Sequence, residues 1–196
     1  MKEILVVIGV VITFIAYIPY FRDIFNGKTK PHAFTWLIWS LLTAIAFVAQ
    51  VSDGGGIGSV ILGITAVISF IIFLIALKVG KKNIVKVDWI FLFGALLAIV
   101  VWYITEDPFW SVILITVIDA VAFAPTFRKA YIDPYTETLS TFLLSGVKFI
   151  FVIVALEAYT TVTVLYPLSL VFANGLFVVL LIVRRKQLPV TALNKL

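Results

Sequence analysis

The chain has no cysteine, a single histidine and few charged residues. Without thiols it can form neither disulfides nor zinc–thiolate sites, and it has no cysteine nucleophile. One histidine and scattered acids make up neither a metal-ligand cluster nor a catalytic constellation, and no phosphate-binding glycine loop or nucleophile elbow is present. We therefore expect no enzyme activity, no metal and no cofactor.

What the chain does contain is apolar sequence. Of its 196 residues, 63% are hydrophobic and 13% are charged, and the mean hydropathy is +1.18. A soluble domain of this size has too little interior to hide so much apolar surface. We predict an integral membrane protein with the lipid bilayer as its partner. The net charge of +5 comes from basic residues in short loops between apolar runs, which favours the positive-inside rule over nucleic-acid binding.

The apolar sequence falls into seven runs, each near the roughly 20 residues that a membrane-spanning helix needs. The runs are 4–21, 33–51, 57–77, 88–105, 109–127, 138–156 and 161–183. They are continuously apolar rather than alternating, which favours helices over strands. The sequence therefore predicts an all-α membrane protein with seven transmembrane helices.

The basic residues predict the orientation of these helices. Of the 15 Lys and Arg residues, all except Lys2 and Lys148 lie in loops or the tail on one side of the seven-helix topology. Such loops remain in the cytoplasm. We predict a multi-pass protein of the plasma membrane, with its N-terminus outside and its C-terminus in the cytoplasm.

One short segment of the chain occurs in two similar copies. "YIPYFRDIF" (17–25) is echoed by "FAPTFRKAY" (123–131). Superposing the two segments pairs Pro19 with Pro125, Phe21 with Phe127 and Arg22 with Arg128. The first three helices and the last three are therefore interpreted as two copies of one three-helix unit.

In both segments the proline closes an apolar run and an arginine follows, which predicts a helix exit. Pro19 and Pro125 each remove one helix hydrogen bond. Their matched positions favour hinges for a gate. The alternative is that each proline only places the end of a helix.

The fourth helix has no counterpart in either copy, and its extra crossing makes the two copies parallel. This predicts a 3+1+3 plan: residues 1–80 form the first bundle, 81–107 the linker helix, and 108–196 the second bundle and tail. The plan resembles that of the SWEET sugar transporters and the wider PQ-loop (MtN3-like) superfamily. The resemblance implies alternating access between the two bundles, with the solute bound between them.

Individual residues also resemble those at motif positions of this superfamily. Pro19 and Pro125 correspond to the family's proline near the inner end of the first helix of each repeat. "VFANGLFVVLLIV" (171–183) resembles the seventh helix, whose Asn faces the sugar site, and this implies substrate binding by Asn174. The Gln of the PQ dipeptide is replaced by Tyr20 and Thr126, and Ile68 stands where sugar-type members have a second Asn. Nicotinamide riboside transporters share the plan and are rich in Trp, as is this chain with five.

Asp119 and Lys148 are charged residues in the middle of predicted helices 5 and 6. A charge at the centre of the bilayer costs about 3 kcal/mol or more, so an ion pair or a protonated Asp is expected. Asp119 and Lys148 are candidate substrate-site residues, with Asp119 titrating during transport. The alternative is a static pair that fastens the two helices.

Asn174 and Trp39 complete the candidate site. Asn174 is either a substrate contact or a hydrogen-bonding link between helices. Trp39 lies one turn deeper than Trp36, so its ring could stack on a sugar or base; the alternative is an interfacial aromatic belt.

The combined prediction is a membrane transporter for a small polar solute, either sugar-like or vitamin- or nucleoside-like. Proton coupling and the oligomeric state stay open. The alternatives are a membrane receptor or scaffold of the same fold, and a channel or lipid scramblase. Short loops favour transport over a receptor.

Overall fold

The structure is a computed structural model that describes residues 2–27, 31, 33–79, 86–132 and 134–188. These ranges form seven α-helices and contain no strand, so the all-α prediction is confirmed. The helices are α1 (Lys2–Phe25), α2 (Ala33–Ser52), α3 (Val60–Val79), α4 (Lys86–Thr105), α5 (Pro108–Ile132), α6 (Leu139–Ala155) and α7 (Thr161–Gln187). Short 3-10 turns at Gly56–Ser59 and Pro134–Thr136 precede α3 and α6.

Four helical segments are long and apolar enough to cross a bilayer: α1, α2, α7 and Gly56–Val79, which is α3 with its preceding turn. Three shorter apolar helical segments are Leu92–Thr105, Pro108–Phe123 and Leu139–Ala155. These helices are those of a membrane-embedded protein. The finer prediction, seven spans in a 3+1+3 plan, remains a proposal.

The helix exits expected at 21 and 127 are wrong. α1 continues through Pro19 to Phe25, and α5 continues through position 125 to Ile132. A proline removes only one hydrogen bond of a helix, here the bond that would reach the carbonyl of Ile15, and a long helix tolerates that loss as a local bend. Pro19 therefore does not place the end of α1. The side chain of Pro125 is outside the described part of the chain.

The burial pattern is that of a protein surrounded by lipid. The outward face of α1 is apolar, with Ile4, Val7, Val11 and Ile18 exposed. Polar side chains lie instead in the interior. Those buried within the helices include Thr13, Ser40, Thr43, Thr65, Ser69, Ser111, Asp119, Thr141, Lys148 and Asn174. Exposed apolar surface together with buried polar side chains fits a bilayer better than water.

We call α1–α3 and α5–α7 the two helix groups, because one helix of each contacts the other two. α3 contacts both α1 and α2, and α7 contacts both α5 and α6. Between the groups, α1 packs along α6, α2 packs on α5 and α7, and α4 contacts α2 and α5. Gly9 allows the close approach of α1, since an ideal Cβ there would lie 2.5 Å from Ile61 Cδ1 on α3 and 3.2 Å from Phe151 Cβ on α6. Of the candidate residues, Lys148 and Trp39 contact side chains of the other helix group.

Candidate functional site

Lys148 lies at the middle of α6 and is enclosed by side chains of other helices. The residue is only 1% exposed. Its Nζ donates hydrogen bonds to Tyr17 Oη on α1 at 3.4 Å and to Thr65 Oγ1 on α3 at 3.3 Å. The amine also lies 4.8 Å from the ring centroid of Tyr17 and 4.7 Å from that of Phe149. Lys148 is therefore held across the interface between the two helix groups.

No ion pair joins Lys148 to Asp119. Among the side chains that the structure describes, an ion pair connects Arg22 and Asp23, adjacent residues of α1. Helix packing explains the separation, because α6 packs along α1 and α7 whereas α5 packs against α2, α4 and α7. The static pair considered for α5 and α6 is thus absent from the described residues.

Asp119 is buried on α5, and one of its two carboxylate oxygens has no partner among the described residues. It is 2% exposed, and its Oδ1 accepts no hydrogen bond from any described residue. Tyr166, buried on α7, lies within electrostatic range of both Asp119 and Tyr17. Tyr17 in turn accepts a hydrogen bond from Lys148 Nζ, so Tyr166 lies near both the surroundings of the buried amine and the buried acid. We call Lys148, Tyr17, Thr65, Tyr166 and Asp119 the polar interior.

Asn174 lies on α7 and is 4% exposed. Its Nδ2 donates to the carbonyl of Leu170 in the same helix at 2.8 Å. Gly146 of α6 faces it, since an ideal Cβ at position 146 would come within 3.5 Å of Asn174 Cβ. The bond that the amide nitrogen makes is therefore within its helix, a common arrangement for a short polar side chain.

Trp39 joins the two helix groups near the end of the bundle where α5 and α7 terminate, which we call the Arg184 end. Its ring centroid lies 5.9 Å from that of Phe123 on α5 and 5.2 Å from that of Trp36 on α2. Its Nε1 is buried and donates to none of the described residues. Phe123 in turn contacts the rings of Phe127, Phe142 and Phe177. We call these six residues the aromatic cluster; in it, Trp39 and Phe123 bridge α2 and α5.

The opposite end of the bundle, which we call the Asp53 end, is closed by polar and backbone contacts. The turn between α2 and α3 packs on the connection between α6 and α7, where the Glu157 amide donates to Gly55 O at 3.1 Å. Thr160 Oγ1 donates to Asp53 Oδ2, and Gln50 Nε2 donates to Thr163 O. Contacts between the two helix groups therefore lie on both sides of the polar interior.

Compared with known protein families, curated proteins and solved structures, the chain has no match. Its function must therefore be inferred from its own residues and their contacts.

Sequence reasoning found the mid-helix charges but missed the residues that surround them. Tyr17, Thr65 and Tyr166 were not singled out, although Thr65 and Ser69 are buried one turn apart on α3 and Thr13 and Tyr17 are buried one turn apart on α1. Polar residues at this spacing share one face of a helix. A search for polar i, i+4 pairs within apolar runs would have found both stripes.

Of the two hinge candidates, the structure describes the surroundings of Pro19 alone. Pro19 lies inside α1, one turn from Arg22 and directly before Tyr20, whose hydroxyl accepts a hydrogen bond from Trp36 Nε1 at 3.0 Å. Pro125 has its side chain outside the described residues. A further proline, Pro167, is buried inside α7 and was not considered from the sequence.

Proposed function

We propose that the protein is a membrane transporter for a small polar solute, working by alternating access between α1–α3 and α5–α7. The observation that carries this proposal is the position of Lys148. Its amine sits at mid-helix, 1% exposed, and contacts Tyr17 and Thr65 of the other helix group. The polar interior thus lies at the boundary that would open and close.

The cost of this arrangement supports a functional role. A charged or ionisable group within a membrane is expensive and is typical of substrate pathways and ion relays. Leu or Met at 148 would fill the same space without that cost, and Lys148 forms no ion pair among the described residues that would fasten helices together. A purely structural role is therefore the weaker explanation.

The two ends of the bundle support alternating access. Contacts between the helix groups at the Asp53 end and at Trp39–Phe123 separate the polar interior from both ends. A solute can reach Lys148 only if one of these sets of contacts separates. In the proposed orientation, with the N-terminus outside the plasma membrane, the Asp53 end faces outwards.

We further propose that the chain follows the 3+1+3 plan of the SWEET and PQ-loop transporters. The support is that the third helix of each proposed unit, α3 or α7, contacts both other helices of its unit. In this proposal Pro19 and Pro125 act as hinges, Asn174 and Trp39 contact the solute, and α4 links the two bundles. A sugar-like solute and a vitamin- or nucleoside-like solute are both compatible with this plan.

A disulfide cross-link tests the proposal directly, because the native chain has no cysteine. Asp53 and Thr160 are hydrogen-bonded across the Asp53 end, so Asp53→Cys/Thr160→Cys should cross-link on oxidation. We expect oxidised protein in proteoliposomes to lose solute uptake and reduced protein to recover it. Each single cysteine variant, oxidised in the same way, is the matched control.

Uptake that continues unchanged in fully cross-linked protein would contradict alternating access at this end. If neither wild-type nor variant protein takes up any member of a panel of sugars, nucleosides, vitamins and organic acids, the transporter proposal itself is wrong.

A further inference from the structure

We infer that the solute held at Lys148 carries a carboxylate group. This inference rests on the proposed function, because it names the class of solute that the polar interior would bind. It differs from the expectation of a neutral sugar or nucleoside, and it comes from the surroundings of a single amine.

The amine of Lys148 can make more hydrogen bonds than the described residues accept. An ammonium group has three N–H donors. The described residues accept two of them, through Tyr17 Oη at 3.4 Å and Thr65 Oγ1 at 3.3 Å. Both distances are long for a hydrogen bond to a charged donor, which is usually about 2.7–2.9 Å. The amine can therefore donate a further and stronger hydrogen bond to an added acceptor.

The charge of the Lys148 ammonium group favours a negatively charged partner. Hydroxyl groups and aromatic faces stabilise a cation only partly, and a buried charge without a counter-ion is strongly unfavourable. Among the described acidic side chains, Asp119 alone lies at mid-helix, and it forms no ion pair with Lys148. A sugar hydroxyl would fill the third hydrogen-bonding position but would leave the charge uncompensated. A carboxylate would do both.

Two classes of solute could supply the carboxylate. An organic acid and an amino acid present the same group to Lys148. Asp119 Oδ1 is buried and has no partner among the described residues, so it is an acceptor that the ammonium group of an amino acid could use. The shared chemistry is the carboxylate, and the two sources are separated by experiment.

The experiment measures binding to purified full-length protein in detergent, using solutes that differ only at the carboxylate. Nicotinate against nicotinamide and lactate against lactamide form the organic-acid arm. Leucine against leucinol forms the amino-acid arm. We expect at least one acid to bind at least 10-fold more tightly than its partner without the carboxylate, and the arm in which this occurs identifies the source.

The variant Lys148→Met should abolish that preference, while Lys148→Arg should keep part of it. Lys186→Met is the matched control, because Lys186 is an exposed lysine in the last turn of α7 and is remote from the polar interior. It should bind as the wild type does. Without solute, Lys148→Met should melt no lower than the wild type, because it removes a buried charge that lacks a counter-ion.

The inference is wrong if no acid is preferred in wild-type protein, an outcome that needs no variant to fold. A preference retained in Lys148→Met would also overturn it. Uptake by proteoliposomes separates this failure from failure of the transporter proposal. Uptake of neutral solutes with no preference for acids rejects the carboxylate alone, whereas tight acid binding with no uptake of any solute rejects transport alone.

Discussion

Replacing Gly58 with alanine should push the two helix groups apart at the Asp53 end. Gly58 lies in the turn before α3, against the backbone at the end of α6. An ideal Cβ at Gly58 would lie 2.7 Å from the carbonyl carbon of Ala155, and 2.8 Å from the Ala155 oxygen and from the Leu156 nitrogen. Carbon atoms in contact normally lie about 3.5–4.0 Å apart. Since backbone atoms cannot rotate away, the turns must separate by about 1 Å.

Overpacking of this kind costs about 1–3 kcal/mol of folding stability. For a chain of this length, each kcal/mol lowers the melting temperature by about 2–4 °C. Gly58→Ala should therefore melt measurably lower than the wild type. The assay is thermal unfolding of purified protein in detergent, followed by the fluorescence of its tryptophans.

Gly175→Ala is the matched control for this substitution. Gly175 lies inside α7, and an ideal Cβ there has no atom within 4 Å. Alanine should fit without a clash and should add up to about 1 kcal/mol of helix propensity. The reasoning is refuted if Gly58→Ala melts with the wild type, or if Gly175→Ala falls as far as Gly58→Ala does.

Opening at the Asp53 end provides a second measurement. In a Ser59→Cys background, Gly58→Ala should speed labelling of the cysteine by a membrane-impermeant maleimide, because position 59 is buried in the turn that Gly58→Ala would separate from α6. Equal labelling rates with and without Gly58→Ala would mean that this turn does not control access.

Three further substitutions probe the interior. Asp119→Asn should keep exchange of bound solute in proteoliposomes but lose accumulation driven by a pH gradient; unchanged pH-driven uptake would exclude Asp119 as the coupling group. Trp39→Phe keeps the ring contact with Phe123 and removes a buried N–H that has no partner among the described residues. Because such an unpaired N–H costs about 1–3 kcal/mol, the melting temperature of the variant should equal or exceed that of the wild type. A clear decrease would show that the N–H is satisfied. Thr65→Val should destabilise the wild type by about 1–3 kcal/mol and have a smaller effect in a Lys148→Met background, where only the hydrogen bond from Thr65 Oγ1 to Ile61 O is lost; equal effects in both would mean that the Thr65–Lys148 hydrogen bond contributes nothing.

Much of the fold could be predicted because hydropathy and length decide it. The second apolar run was expected at 33–51, and α2 spans Ala33–Ser52. The largest errors in helix length occurred where a proline and an arginine were interpreted as a helix exit. Once a helix is established, the loss of one hydrogen bond at Pro19 is smaller than the gain from continuing, so α1 reaches Phe25.

The contacts of the site could not be predicted in the same way. Asp119 and Lys148 stand out in sequence because a charge within an apolar run is costly, but their partners depend on which helices pack together. Consecutive helices were expected to be neighbours, which suggested an ion pair between α5 and α6. In the structure α6 packs along α1, and Tyr17, which looks like one more aromatic residue of an apolar run, becomes a hydrogen-bond partner of the lysine.

The two closures differ in chemistry, and this difference predicts which opens more easily. At the Asp53 end the helix groups are joined by hydrogen bonds such as Glu157–Gly55 and Thr160–Asp53, which water can replace at a net cost of about 0.5–1.5 kcal/mol each. At the Arg184 end, the bridge between Trp39 and Phe123 buries aromatic rings, and water offers no replacement for that apolar contact. We therefore expect thermal opening to begin at the Asp53 end. Opening at the aromatic cluster would then need a solute that binds either the separated rings or the polar interior. Solute binding would therefore be coupled to opening at the Arg184 end.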